Sequence, residues 1–490
     1  MPVARSRVAP VRLACLALAA TAFTACSGEP ADEPGPTSGA APPTSRAVPQ
    51  AAAGADGAGD PYYPTDGNGG YDVTDYHVSI SYDPPAKRLD GDTVITATAT
   101  GDLTRFNLDL KGFEVSAVEV DDKPATFERA GDHELVITPA TAVPTGRTFR
   151  TRVRYGGVPG ATEDSGLGAN GWQIAKSGGA FAAGEPHSAT SWYPANDTPR
   201  DKATFKLTAR VPDGWSVISN GREEPSTSDG GWTTYTWVEK TRIATYLTTI
   251  GIDKWTFERS TLPGGIPVVS AYAPGAEGKK QVEARLPEII EFLSQKFGPY
   301  PQSAAGGIYI NESIGFSLET QTRPIYANWA ETAVVVHENA HQWYGDSVTI
   351  TSWGDMCLNE CWASYAQWLW DEAKEGKDLD AEYRTQVARA SNRLWTGKLF
   401  DMGAGKEFTA VYTKGPLALH ALRRQIGEDA FNRVMREWPA RHRDGNASWP
   451  EFETFVQEIA GQDLRAFFEA WFRSDRKPAD EYLYPGGLRR

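Results

Sequence analysis

Between residues 71 and 258 the chain runs in short stretches where apolar and polar side chains alternate, as in Tyr76-His77-Val78-Ser79-Ile80-Ser81-Tyr82 and Asp92-Thr93-Val94-Ile95-Thr96-Ala97-Thr98. A period of two puts successive side chains on opposite faces, and the Gly, Asp and Pro residues between the runs are turn formers, so the pattern predicts antiparallel strands. The runs 149–155, 203–211 and 232–238 continue it, and residues 71–260 read as one large all-β domain. From about residue 271 the period becomes helical, over 281–297, 333–344, 357–370, 379–396, 413–426, 428–438, 449–459 and 463–472. Short strands are expected at 307–310 and 316–319, ahead of the helix 333–344. The fold class is therefore α+β and multidomain, an N-terminal antiparallel β-sheet domain followed by a mainly helical domain over 261–482. No internal repeat is present.

The first seventy residues differ from the rest. Arg5, Arg7 and Arg12 precede the apolar run 13–22 and the segment Phe23-Thr24-Ala25-Cys26-Ser27. A basic start, an apolar stretch and small residues before a Cys form a secretory signal of lipoprotein type over 1–25, with Cys26 becoming the lipidated first residue. Phe23 stands where such sites usually carry Leu, and plain secretion is the alternative. Either way the location expected is extracytoplasmic, as a cell-membrane lipoprotein or a secreted protein. Residues 26–70 are mostly Ala, Pro, Gly, Ser and Asp, a composition that buries too little surface to fold and predicts a disordered tether. No other stretch is long and apolar enough to span a membrane.

At 490 residues and 40% hydrophobic content the chain can bury a large core. Its net charge of −14, with no compensating basic block, argues against nucleic acid as a partner and favours cationic ligands.

The chemistry is concentrated in His337-Glu338-Asn339-Ala340-His341 and, eighteen residues later, Asn359-Glu360. Residues four apart share one helix face, so His337 and His341 can hold one ion, while Glu338 lies about 100° around the helix and can take a proton from bound water. Glu360, in the first turn of a second helix, is the natural third ligand. Two His and one Glu leave a tetrahedral zinc with one open position, the pattern of a catalytic site with one Zn2+ ion. Two satisfied core histidines are the plain alternative, and only seven His occur in the chain.

Cys357 and Cys361 flank Glu360 at helical spacing. They could be extra zinc ligands, a local disulfide or small buried packing residues. The last is the favoured reading, because the ion is already satisfied and a bridge across one helical turn is strained. Asp355 could orient a ligand imidazole or cap the second helix.

The run His337-Glu338-Asn339-Ala340-His341-Gln342-Trp343-Tyr344-Gly345-Asp346 and Leu358-Asn359-Glu360 resemble the zinc aminopeptidase family of aminopeptidase N and the leukotriene hydrolases, with Cys361 replacing the usual Gly. The resemblance covers about 71–482 and implies a thermolysin-like catalytic domain. It implies that Tyr412, in Tyr412-Thr413-Lys414-Gly415, donates a hydrogen bond to the oxyanion. It implies that Glu319, in Phe316-Ser317-Leu318-Glu319-Thr320, binds a substrate's free amino terminus, although the family's Gly, Met and Asn are replaced there. Glu185, in Glu185-Pro186-His187-Ser188-Ala189, would be a second carboxylate for that amine. Many members continue into a further β module and a helical domain over the active site; this chain ends at Arg490, and an open cleft is expected.

These readings converge on a zinc aminopeptidase acting on peptides with a free N-terminus, with Glu338 as general base and Tyr412 as oxyanion donor. The alternatives are a zinc endopeptidase with the same chemistry, or a catalytically silent binding module. No nucleic-acid partner is expected, and contact with a membrane only through a lipid at Cys26.

Overall fold

The computed structural model describes residues 53–164 and 168–489. The expected signal segment, Cys26 and the tether up to residue 52 lie outside the described residues.

Residues 71–253 form three sheets, and the five alternating runs all lie in the largest of them. The largest has eight strands, in the order Arg222–Asp229, Trp232–Ile243, Ala203–Pro212, Tyr71–Asp83, Arg88–Ala99, Thr148–Gly157, Glu114–Val120 and Lys123–Pro124. Its pairings are antiparallel except for Tyr71–Asp83 against Ala203–Pro212, which is parallel. Along Tyr71–Asp83 the register shifts between Val73 and Asp75, a bulge after which Tyr76, Val78, Ile80 and Tyr82 all face the core. A five-stranded sheet contains Ala180–Ala183 and Ile250–Asp253, and a three-stranded one pairs Phe106–Asp109 with Glu134–Thr138.

The boundary expected at residue 260 falls inside the strand Thr256–Leu262. That strand pairs with Ile266–Tyr272, and Ile308–Tyr309 and Ile325–Tyr326 follow in parallel. The strand expected at 307–310 is therefore present. The one expected at 316–319 reduces to a single bridge between Leu318 and Ile325. Two expected helices are interrupted. The first becomes Lys280–Glu283 and Leu286–Phe297, with Pro287 in the opening turn of the second piece, and the other becomes Leu379–Arg389 and Asn392–Trp395. Aromatic residues bind the helices together, with Trp362 stacked between Tyr344 and Phe431. One continuous apolar core runs from Tyr71 to Leu488, so the two halves are packed as one body.

Residues 53–70, expected to belong to the tether, are ordered. Here hydrogen bonds replace apolar burial, which is why hydrophobicity gave no sign of it. Asp60 accepts from the Trp353 amide at 3.0 Å, the Tyr62 hydroxyl donates to Asp401 at 2.9 Å, and Tyr63 donates to Glu407 at 3.1 Å. Asn68 donates to Asp109 at 3.0 Å, and its backbone N–H donates to Asn196. The segment is a strap lying across both halves.

Candidate active site

The helix Thr332–Ala340 carries His337 and Glu338. It ends four residues short of expectation, but His341 retains helical dihedrals (φ −59°, ψ −25°), so the two imidazoles still share a face. The chain then turns at Gly345, whose φ is +135°. A Cβ there would lie 3.3 Å from His341 Nδ1 and 3.5 Å from Asn359, so the turn that seats the ring requires glycine. Glu360 stands in the first turn of the helix Cys357–Glu375.

These elements bring the three expected ligands to one point. His337 Nε2 is 3.0 Å from Glu360 Oε2, His341 Nε2 is 3.2 Å from His337 Nε2, and His341 Nε2 is 3.4 Å from Glu360 Oε2. A tetrahedral zinc with N and O ligands at about 2.05 Å sets its donor atoms about 3.3 Å apart. The triangle fits. His341 Nδ1 lies 3.0 Å from the Tyr344 carbonyl and donates to it, which leaves the Nε2 lone pair for a metal. All three side chains are buried. Burial would raise the Glu360 pKa, but His341 and His337 hold the carboxyl well below its usual range.

The Glu338 carboxylate lies within 4.8 Å of both ring nitrogens. It is buried, and burial pushes its pKa well up, the direction that makes a carboxylate a better base near neutral pH.

The ligands open on a cleft of about 250 Å³ whose walls include Glu185, Phe316, Glu319, Trp329, Gln367 and Tyr412. Glu185 and Glu319 are 1% and 2% exposed, and the Oε1 atom of each has no hydrogen-bond partner. Burial raises both pKa values; Glu319 repulsion raises Glu185 further, while at Glu319 His341 opposes the rise and Glu360 adds to it. Glu185 is held through its carbonyl, which accepts from Asn170 at 2.9 Å, and the Glu319 carbonyl accepts from Gln342 at 3.2 Å. The Tyr412 hydroxyl donates to Glu360 Oε1 at 3.0 Å, and the residue is 40% exposed at the cleft. Burial of the hydroxyl, together with Glu360 and Glu185, raises its pKa well above 10, so it stays a donor. A larger opening of about 600 Å³ lies beside the Tyr412 segment, lined in part by Arg393, Lys398 and Thr409, and contains none of the ligands.

Two expectations are corrected. Cys357 and Cys361 form a disulfide instead of standing as separate packing residues. Cys357 is the first residue of its helix, entered from the 3-10 turn Trp353–Asp355, and the Cα atoms lie 4.7 Å apart, within the roughly 4.4–6.8 Å a disulfide needs. Asp355 neither touches a ligand imidazole nor caps the helix. Its carboxylate accepts from the Trp449 amide and the Thr351 hydroxyl, both at 3.0 Å, and so anchors a later helix.

Sequence reasoning also missed Trp329, Ser364 and Gln367 in the cleft wall. Gln367 lies seven residues after Glu360 on the same helix, a spacing that could have revealed it. Trp329 is 44% exposed, and no local pattern marks it.

Both halves of the chain match one family of known proteins. The Peptidase M1 N-terminal domain matches residues 73–247 and the Peptidase family M1 domain matches residues 306–471. The chain is 26% identical over 413 residues to a probable aminopeptidase of Sulfurisphaera tokodaii, covering 76% of this chain and 50% of that protein. It is 24% identical over 449 residues to an aminopeptidase N of Lactococcus lactis, covering 82% of this chain and again 50% of the relative. The chain thus spans about half the length of these relatives. Among solved structures it is similar to an M1 zinc metallopeptidase from Deinococcus radiodurans, with 29% identity and a TM-score of 0.81, covering 88% of this chain and 99% of that one. A mutant of that enzyme, bound to a Tyr-Ser-Ala substrate, aligns with a TM-score of 0.80 and 28% identity, covering 86% of this chain and 99% of that one. With an N-terminal and a catalytic domain both matched, and the helix-borne His, His and Glu converging at metal-ligand spacing, the chain belongs to peptidase family M1.

Proposed function

We propose that this protein is a zinc-dependent aminopeptidase that releases N-terminal residues from peptides. The observation that carries the exopeptidase reading is the pair Glu185 and Glu319. They are two buried carboxylates in the same cleft as the His337, His341 and Glu360 triangle, each with an oxygen that accepts no hydrogen bond, although Glu319 Oε1 lies 4.0 Å from His341 Nδ1. Buried carboxylates that repel one another are relieved by a cation. An α-ammonium supplies that charge, whereas an internal peptide bond or a blocked terminus does not. The amine so held would fix the scissile bond one residue away.

His337, His341 and Glu360 would hold the zinc, which when bound supplies positive charge that polarises a carbonyl and brings the pKa of bound water to about 7. Glu338 takes a proton from the attacking water and returns it to the departing amine nitrogen. Tyr412 turns its hydroxyl from Glu360 Oε1 toward the substrate's carbonyl oxygen as negative charge develops there. The hydrogen bond from His341 to the Tyr344 carbonyl keeps that imidazole in one tautomer throughout.

Glu338→Gln tests the catalytic assignment. Metal analysis should find zinc retained, while turnover on aminoacyl fluorogenic substrates falls by a factor on the order of 10²–10⁴. Loss of zinc, or full activity without Glu338, defeats the assignment. Acylated peptides test the exopeptidase reading, since an endopeptidase cleaves them and an aminopeptidase does not.

The same reading places the enzyme outside the cytoplasm, anchored by lipid at Cys26. The disulfide between Cys357 and Cys361 supports this, because disulfides persist in oxidising compartments. Cys26→Ser should move the protein from the membrane fraction to the soluble one; an unchanged membrane fraction contradicts lipid anchoring.

A further inference from the structure

We propose that Asp109, His133 and Glu134 form a second site, for a divalent transition-metal cation, within the N-terminal half. Asp109 ends the strand Phe106–Asp109 and pairs directly with Glu134, the first residue of Glu134–Thr138, so the two side chains share one face of the sheet. His133 stands in the turn just before. His133 Nε2 is 3.8 Å from Asp109 Oδ1 and 3.9 Å from Glu134 Oε1, and one ligand atom from each of the three lies within 4.8 Å of the others.

The Glu134 side chain is 9% exposed, and neither of its carboxylate oxygens accepts a hydrogen bond. Asn107 lies close enough on the same sheet to lower the Glu134 pKa, while its amide donates to Asp56 at 2.8 Å. Asp109 is fully buried and accepts from Asn68 at 3.0 Å and from the Asp197 amide at 2.7 Å. Asp197, itself buried, accepts from Thr245 at 2.6 Å. Among the described residues no Lys or Arg forms an ion pair with Asp109, Glu134 or Asp197. Lys111 is taken by Asp132 at 2.6 Å and Arg105 by Asp56 at 3.0 Å, while His187 lies 2.7 Å from Asp66.

Beside these three buried carboxylates stand imidazoles and Arg129, which is within charge range of Glu134 but gives its hydrogen bond to the Leu110 carbonyl, so the cluster carries more negative charge than its neighbours balance. Burial pushes the Glu134 carboxyl up to about 7 against the opposing pull of His133 and Asn107, and burial with repulsion from Glu134 pushes Asp109 well above its usual range. Either protons or a cation supplies the balance. The geometry favours a cation, because an imidazole nitrogen and two carboxylate oxygens face one point and Glu134 brings two oxygens with no other partner. One imidazole with two carboxylates suits Zn2+ or Mn2+; Ca2+ prefers oxygen ligands alone. A cavity of about 290 Å³ lined by Asp66, Asp109, Lys111, Asp132, His133 and Asp197 reaches two of the three groups, Asp109 and His133, while Glu134 lies behind its wall. On binding, His133 shifts its proton from Nε2, which now donates to the Thr65 carbonyl at 3.0 Å, to Nδ1. The ion would join the sheet to the strap that supplies Thr65, Asp66 and Asn68.

The test uses the full chain in two backgrounds. In a His337→Ala, His341→Ala protein, which lacks the first site, Mn2+ titration followed by EPR and calorimetry should reveal one bound equivalent, with the thermal midpoint rising by several degrees. Adding Glu134→Gln should weaken that binding by about 10-fold or more and abolish the thermal shift. In the otherwise unaltered protein, Glu134→Gln should lower metal content by one equivalent and leave peptidase activity in place. Where Glu134→Gln fails to fold, His133→Ala, at a partly exposed side chain, gives the same readout. Absence of Mn2+ binding in the first background overturns the proposal, as does binding unchanged by Glu134→Gln and His133→Ala. Stability that responds to pH but not to metal also overturns it, since protons then balance the cluster.

Discussion

The Tyr412 hydroxyl donates to Glu360 Oε1 at 3.0 Å, so the expected oxyanion donor and an expected metal ligand are linked before any substrate arrives. The bond holds the phenol at the wall of the cleft. Tyr412→Phe removes the donor without emptying the space. We expect kcat to fall by about 10²–10³, with zinc content unchanged and KM moved little, because the lost interaction is made in the transition state. Steady-state kinetics with metal analysis checks this; a change confined to KM contradicts it.

Glu185 and Glu319 make a different prediction, about which substrates are distinguished. Glu319→Gln keeps the shape and removes the charge. Free-amine substrates should lose about 10–100-fold in kcat/KM, the worth of one hydrogen bond to a charged group, while residual hydrolysis of N-acetylated analogues stays unchanged. Equal losses on both substrates contradict amine binding.

Gly415 lies against Cys361. A Cβ at residue 415 would come within 2.6 Å of Cys361 Sγ and 3.0 Å of its Cβ, and the disulfide to Cys357 keeps that sulfur from moving aside. Gly415→Ala should therefore cost about 1–3 kcal/mol of stability by overpacking. It should also lower kcat, because Tyr412 stands three residues earlier. Chemical denaturation and kinetics measure the two effects; pairing the change with Cys361→Ala should restore only part of them, because the 3.0 Å approach to Cys361 Cβ remains and the disulfide is lost.

Glu283 gives a pH signature away from the site. It is buried, accepts from Ser270 and from Tyr309 at 2.7 Å, and burial pushes its pKa up from 4.5 to about 7. The folded state therefore binds this proton more tightly than the unfolded chain does. Its contribution is fully present below pH 4.5 and is lost as pH rises through about 7, a change of about 3 kcal/mol. Glu283→Gln should flatten that part of the stability curve. Urea unfolding at intervals between pH 4.5 and 7.5 checks the slope.

What was legible in the sequence was legible because it is local. The spacing of His337, Glu338 and His341 fixes their relative positions on any helix, and an alternating run such as 76–82 declares a half-buried strand wherever it packs. The order of β-rich and helical halves followed from the same periodicities. Glu185, Glu319 and Tyr412 needed family motifs, since nothing in their immediate surroundings distinguishes them from ordinary side chains.

Tertiary structure decided the rest. Glu185 meets Glu319 across 134 positions of chain, a distance no period encodes. The parallel pairing of Tyr71–Asp83 with Ala203–Pro212 is equally nonlocal. The strap 53–70 is held by hydrogen bonds between polar side chains, which hydropathy scores as solvent-facing. The Cys357 to Cys361 bridge depends on where the helix begins, a boundary set by the preceding 3-10 turn. The amino-acid pattern alone determined which atoms could bind a metal. Packing determined that their lone pairs converge to within 3.4 Å, because only a buried core can hold two imidazoles and a carboxylate that close together.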